Sequence, residues 1–165
     1  MKTALVTGGS GYLGTLMIKK LLDNGWRVKS IDINPPINNQ NKFEFFKVDV
    51  RNLNNHEYIF KDVDCIFHNV ALVPISKAKD FFSTNTLGTK NVIEMAIKNN
   101  VKSFIHTSSS AIFGAPKTNP VDEHYLPCPA EKYGLSKLNS EILLSTYADK
   151  ININIIRPRT ILGHG

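Results

Sequence analysis

With 165 residues, 42% of them apolar, the chain is long enough for one domain with a proper core and too apolar for a disordered segment. Twenty Lys and Arg stand against 14 Asp and Glu, a formal charge of +6; the basic residues are dispersed without a run or stripe, which argues against nucleic acid as a partner and for a mixed surface that favours anionic ligands. No apolar run approaches the length of a membrane span and the amino terminus has no secretory signal pattern, so no membrane partner and a cytoplasmic location are expected.

In chain order, strand-like and helix-like segments alternate. Residues 2–7 read as a short apolar strand that runs into the glycines of 8–14, and 12–24 as a helix with Leu13, Leu16, Met17 and Leu21 on its apolar face and Gly25 beyond its end. A second strand over 26–31 ends at Asp32, a polar turn with prolines follows over 34–41, and a third strand covers 43–48. Residues 52–60 read as a weak helix or loop, 65–69 as a buried strand, and 83–98 as a long helix with Leu87, Val92, Ile93, Ala96 and Ile97 inward. A fifth strand spans 101–108, an irregular loop rich in Pro and Gly spans 113–129, a helix spans 131–148 and a sixth strand spans 151–156. This alternation predicts an α/β fold, a parallel sheet doubly wound by right-handed crossovers. Cys65, in an apolar run, is expected to be a buried free thiol and Cys128 to lie in a loop; no spacing suggests a metal site or a disulfide.

Three groups of residues carry chemistry. The run Thr7-Gly8-Gly9-Ser10-Gly11-Tyr12-Leu13-Gly14 follows a strand and opens a helix. Glycines there let the backbone turn tightly and approach a pyrophosphate, and the helix start supplies free N–H groups and partial positive charge. Asp32 ends the second strand about twenty residues on, where a carboxylate accepts hydrogen bonds from a ribose diol and repels a 2′-phosphate, so NAD is favoured over NADP. Asp49, after the third strand, is placed to meet the adenine edge. Ser108, Ser109 and Ser110 close the fifth strand, at the end of the sheet where ligands sit in such folds. Tyr133 and Lys137 stand four residues apart on one helix face, where an ammonium would lower the tyrosine pKa and make the phenol a general base or acid near neutrality.

The ordered set TGGSGYLG, Asp32, DVRN, HNVALVP, STNTLGT, HTSSSAIFG, YGLSK and IIRPRTILG resembles the extended short-chain dehydrogenase/reductase family, the NAD-dependent epimerase/dehydratase group, over nearly the whole chain. The resemblance implies a Rossmann fold that binds NAD. Gly8, Gly11, Tyr12, Leu13 and Gly14 would line the pyrophosphate, Asp32 would hold the adenosine ribose, and Asp49 and Val50 would flank the adenine. Val70, Ala71 and Val73 would pass beside the cofactor, Asn85 would support the site, and Pro158 would lie near the nicotinamide. Ser109, five residues before Gly114, matches the catalytic Ser/Thr, Tyr133 the catalytic base, and Lys137 its partner, which also binds the nicotinamide ribose. The implied activity is hydride transfer between NAD and a hydroxyl- or carbonyl-bearing carbon of a small-molecule substrate, a nucleotide-sugar among the candidates, in a protein that often forms homodimers. Phe113 stands where many members carry Tyr, Val70 where Ala is commoner, and Arg159 where sugar epimerases are often apolar. The ALVP and RPRTILG strings look closer to sterol-dehydrogenase-like members, which keeps an NAD(P)-dependent dehydrogenase, or a catalytically idle NAD(P)-binding module, as alternatives. Residues 1–165 are expected to be the dinucleotide-binding domain, truncated before a carboxy-terminal substrate domain, because the sixth strand runs into Arg157–Gly165 with nothing after it to pack against.

Overall fold

A computed structural model of the chain describes residues 1–37, 42–75 and 80–163, so the turn expected over 34–41 and the last two residues fall partly outside the described residues. Strand β1 (Thr3–Thr7) leads to helix α1 (Tyr12–Asp23), then β2 (Arg27–Asp32) and β3 (Glu44–Lys47). Strand β4 (Cys65–His68) is followed by α2 (Gly88–Lys98), β5 (Ser103–Thr107), α3 (Lys132–Ser145) and β6 (Asn152–Ile156). The strands form one parallel sheet in the order β3-β2-β1-β4-β5-β6. The order reverses between β1 and β4, and a crevice opens there beyond the carboxyl ends of the strands.

Both faces of the sheet are covered, so the central strands are apolar without alternation. Every residue of β1 is buried. Ala4 and Val6 pack with Val28, Ile18 and Leu21 beneath α1, while Leu5 joins Ile31, Ile66, Phe104, Val92, Ile93 and Leu144 on the α2/α3 face. Full burial of one such side chain stabilises by roughly 1.5–3 kcal/mol, so β1 holds the two layers together. Helix α1 stops where Gly25 takes φ +75°. Its N–H donates to Leu22 C=O (2.9 Å) and Trp26 N–H to Leu21 C=O (3.1 Å), which satisfies the last carbonyls.

Local detail departs from the sequence reading in three places. Leu16 is 43% exposed; the buried face of α1 is Gly14, Ile18 and Leu21, which recur at helical spacing on the side facing β1. The helix expected over 83–98 opens as a π-helical turn, Phe82–Leu87, before α2. Its wider winding shifts the phase of the apolar stripe, so Leu87 points outward while Asn85 and Thr86 are buried. Short 3₁₀ turns occupy Glu57–Phe60, which buries Ile59 and Phe60, and Ser110–Phe113, which buries Ile112 and Phe113. Among the described residues no helix is long and apolar enough to cross a membrane. At the sheet edge, β6 leaves Ile155 and Ile156 partly exposed.

Candidate active site

The glycine loop is compressed against its own helix. A Cβ on Gly14 would sit 2.1 Å from Gly8 C=O and 2.7 Å from Gly9 Cα, so only glycine lets α1 start this close to the loop. Gly11 caps α1 with extended backbone and no side-chain cap, and the first turn carries no acidic residue. The amides of that turn have no intrahelical acceptor, and Gly11, just before it, lines the crevice. Asp32 is held over the loop: its carboxylate accepts from Ser10 N–H (3.1 Å) and Asn34 N–H (2.9 Å), and Ser10 Oγ donates to Asn34 C=O (2.7 Å). A groove of about 360 Å³ passes these groups, lined by Gly8, Gly11, Asp32, Asp49, Val50, Val70 and Ala71 among others. A larger cavity of about 560 Å³ beside α1, under Ile18, Leu22 and Phe43, contains neither Asp32 nor Gly11, and the smaller groove is the candidate site.

Asp49 lines the groove with both carboxylate oxygens already engaged by Arg51, whose N–H donates to Oδ1 (2.9 Å) and whose guanidinium forks onto both oxygens at 2.6–3.0 Å. This pairing holds the Asp49 carboxyl below the usual carboxylate range. Arg51, not weighed from sequence, therefore stands beside Asp49 at the far end of the groove.

The other end is made of side chains. After β5, Ser108 N–H donates to Ile156 C=O (2.7 Å) and Ser110 N–H to Pro158 C=O (2.9 Å), which seats Pro158 beside the serine turn. Ser109 caps the 3₁₀ turn, its Oγ accepting from Ala111 N–H at 3.1 Å. Helix α3 lands on that turn because Gly134 has no side chain: a Cβ would meet Ala111 C=O at 2.4 Å. The contact brings Tyr133 to Ser109. Tyr133 is half-buried, edge-on to the Phe81 ring with centroids 6.1 Å apart. Burial pushes its pKa up, and interaction with the Ser109 hydroxyl draws it partly back. The lowering by Lys137 expected from the i, i+4 spacing is not among these influences; the shift is upward because the phenol is desolvated. Lys137 is 1% exposed, and burial pushes its pKa down to about 8 against the opposing pull of Glu141 one turn on. Glu141 is itself buried and forks with Arg157, whose Nε and Nη2 approach its oxygens at 2.8–3.2 Å.

Asn85 is a brace: its Oδ1 accepts from Leu72 N–H (2.7 Å), and its Nδ2 donates to Leu72 C=O (3.1 Å) and Ser136 Oγ (2.9 Å). Ser136 Oγ in turn donates to Tyr133 C=O (2.7 Å). Val73 lies on the exit from β4 and is 39% exposed, Tyr12 and Leu13 open α1, and Gly14 lies beneath the loop rather than along the groove. The structure thus brings Ser109 and Tyr133 together beyond β5, with Lys137 buried one turn further along α3, and the glycines, Asp32 and Asp49 together beyond β1–β3. The reading from sequence missed Arg51, Phe81, Ser136 and the buried Glu141–Arg157 pair. Only Arg51, two residues after Asp49 in the DVRN string, carried a local signal.

Residues 4–165 match the family model described as the NAD dependent epimerase/dehydratase family. A putative UDP-glucose 4-epimerase of Methanocaldococcus jannaschii is 35% identical over 87% of this chain and 50% of its own length. The decarboxylating sterol-4-alpha-carboxylate 3-dehydrogenase of Mus musculus is 33% identical over 98% of this chain and 46% of its own. Among solved structures, the Thermus thermophilus UDP-glucose 4-epimerase in complex with NAD superposes with a TM-score of 0.82 at 26% identity, over 94% of this chain and 54% of that one. The chain spans about half the length of the curated relatives it matches.

Proposed function

The chain belongs to the NAD-dependent epimerase/dehydratase family, and from that premise we propose that it binds NAD(H) along the groove and forms the hydride-transfer centre of an oxidoreductase acting on a hydroxyl- or carbonyl-bearing carbon of a small molecule. The reading is supported by Tyr133 set against Ser109, with Lys137 buried one turn further along α3, in a sheet whose glycine-compressed helix start carries Asp32 above it. The residues present fit the dinucleotide. Gly14 leaves a backbone cradle, the first turn of α1 offers amides to a diphosphate, and Asp32 keeps acceptor capacity for a ribose diol while repelling a 2′-phosphate.

Bound NAD supplies the hydride acceptor or donor. Tyr133 Oη takes the proton from the substrate hydroxyl, or returns it, and Ser109 Oγ hydrogen-bonds the same oxygen as charge develops there. In the chain alone the Tyr133 pKa is set by burial and the Ser109 hydroxyl; to Lys137, as an ammonium one turn along α3, we assign the role of opposing the cost of a phenolate once cofactor and substrate are bound. Pro158, held at the serine turn, walls the nicotinamide end. Asn85 and Ser136 fix the first turn of α3 from below, so the three groups act from a rigid base.

We infer a nucleotide-sugar as the substrate class from the epimerase relative and structure, with residues 1–165 forming the dinucleotide-binding domain of a homodimeric protein. Exposed Leu135 and Ile142 on α3 support such pairing. The mouse relative, matched over 98% of this chain, favours a sterol-type dehydrogenase as a second reading. Titration with NADH and separately NADPH, followed by nicotinamide fluorescence, tests the groove: tight NADH and weak NADPH binding is expected, and binding of neither overturns the reading. An idle module would keep this binding while the whole protein showed no turnover, and turnover unchanged within a few-fold in Tyr133→Phe would overturn the role given to Tyr133.

A further inference from the structure

Behind the groove, where β1 meets β4, a buried polar path joins the two ends of the site. Thr7, His68, Asn85, Thr89 and Ser140 are all fully buried. They come from β1, β4, the π-helical turn, α2 and α3. His68 Nδ1 lies 2.8 Å from Thr7 Oγ1, and its Nε2 lies 2.9 Å from Thr89 Oγ1. Thr89 Oγ1 also lies 2.6 Å from Asn85 C=O, which can only accept. A hydroxyl has one proton; given to that carbonyl, it leaves Thr89 to accept from His68. His68 is therefore the Nε2–H tautomer, and its Nδ1 accepts from the Thr7 hydroxyl. The opposite assignment would press two lone pairs together at 2.6 Å. Beyond Thr89, Ser140 Oγ of α3 shares its one proton between Asn85 C=O (2.7 Å) and Ser136 C=O (2.8 Å), and Asn85 Nδ2 reaches Ser136, which holds the Tyr133 carbonyl.

A histidine in this core is not needed for volume. Burying an aliphatic side chain is favourable, whereas burying an imidazole costs free energy unless both nitrogens are paired. The neighbouring His106 shows the other case: its ring stacks on His68 with centroids 5.5 Å apart, yet neither of its nitrogens has a partner among the described residues. His68 is the one with both nitrogens paired. Burial, with Lys137 nearby, pushes its pKa down to about 3, so it is neutral at neutral pH.

We propose that His68 is a positioning residue: as a neutral Nε2–H imidazole clamped between Thr7 and Thr89, it sets the glycine loop and the Tyr133–Lys137 helix in register, coupling cofactor affinity at one end of the groove to the geometry of the other. Thr7 is the last residue of β1 before the glycine loop, and Asn85 is the point from which α3 is braced. The coupling rests on the groove being the NAD(H) site.

Isosteric changes at Thr89, which does not line the groove, give the test. Thr89→Val keeps the shape and removes the hydroxyl; Thr89→Ser keeps the hydroxyl and removes a methyl. NADH titration of the chain is expected to show Thr89→Val weaker by roughly 5- to 10-fold, the scale of one buried neutral hydrogen bond, and Thr89→Ser within about twofold. Thr7→Val with Thr89→Val together should weaken binding by clearly less than the product of the single effects, since both break one path. Long-range ¹H–¹⁵N correlation on the same samples should show His68 protonated on Nε2 alone in the parent. Parent-like NADH binding by Thr89→Val, equal losses for Val and Ser, or multiplying effects of the two positions would overturn the coupling, and a proton on Nδ1 would overturn the path itself. A parent that binds no NADH removes the site reading and the coupling with it, whereas a binding parent with an indifferent Thr89→Val removes the coupling alone.

Discussion

At the glycine loop the groups that face the groove are main-chain amides, ordered by backbone contacts such as Gly14 against Gly8; at the serine turn they are side chains, ordered by burial and by hydrogen bonds to residues far along the chain. The first end has no titrating group except the carboxylates at its rim, and a change of side-chain volume should damage it most. The second has a half-buried phenol and a fully buried amine, and should respond to chemistry and pH. One crevice is thus exposed to two kinds of failure, and substitutions can separate them.

The largest separation is expected from Tyr133→Phe in the whole protein. Turnover should fall by about 10²- to 10⁴-fold, the usual contribution of a general acid–base, while NADH binding stays within about twofold. Loss of both together would mean that the two ends are not chemically distinct. Gly14→Val should act in reverse, because its side chain must displace Gly8 and Gly9 backbone. We expect a loss of about 3 kcal/mol or more in urea unfolding, and NADH binding too weak to measure in whatever remains folded.

Lys137 sharpens the comparison through pH. Its folded pKa of about 8 lies below the ordinary lysine value of 10.5, so between these the unfolded chain binds more protons than the folded one. Stability therefore rises with pH over that window, by up to about 1.4 kcal/mol per unit, and the buried ammonium is a cost at pH 7. Near pH 10 the raised pKa of Tyr133 begins to oppose the rise, since its folded form then holds the extra proton. Unfolding free energies at pH 7, 8, 9 and 10 should show the upward slope, and Lys137→Met should flatten it; a slope unchanged in that variant would contradict the burial argument. The smallest effect belongs to Asp32→Asn. Removing the rim charge should narrow the preference for NADH over NADPH by roughly tenfold, about one ion–dipole interaction at a half-exposed site, without altering the melting temperature by more than about two degrees.

How far each end was legible in the sequence follows from the same division. The glycine loop, Asp32 and the strand–helix alternation could be read because the requirement and the residue that meets it lie within a few positions of each other. Tyr133 and Lys137 were found by helical spacing, but spacing gives a shared face and not a depth; the full burial of Lys137, which sets its pKa, depends on α3 packing against the π-helical turn and the serine turn. The direction of the Tyr133 shift was misjudged for that reason. His68 reads as one more residue of an apolar strand, since Thr7 is 61 positions away and Thr89 is 21. Leu16 and Leu87 were assigned inward by counting, and the structure turns both out, one by the real orientation of α1 and the other by the wide turn before α2.

The two thiols lie in opposite settings. Cys65 is buried in β4, where burial pushes its pKa up to about 11, whereas Cys128 is exposed and its N–H donates to Ile112 C=O (2.9 Å) at the end of the serine turn. A thiol-selective dye at neutral pH should therefore mark one position, because the thiolate is the reacting form and Cys65 has almost none. That position is a backbone hydrogen bond away from the segment bearing Ser109. The chain of 165 residues thus already holds a single-site optical reporter for the turn that carries Ser109, requiring no engineered cysteine and no removal of another.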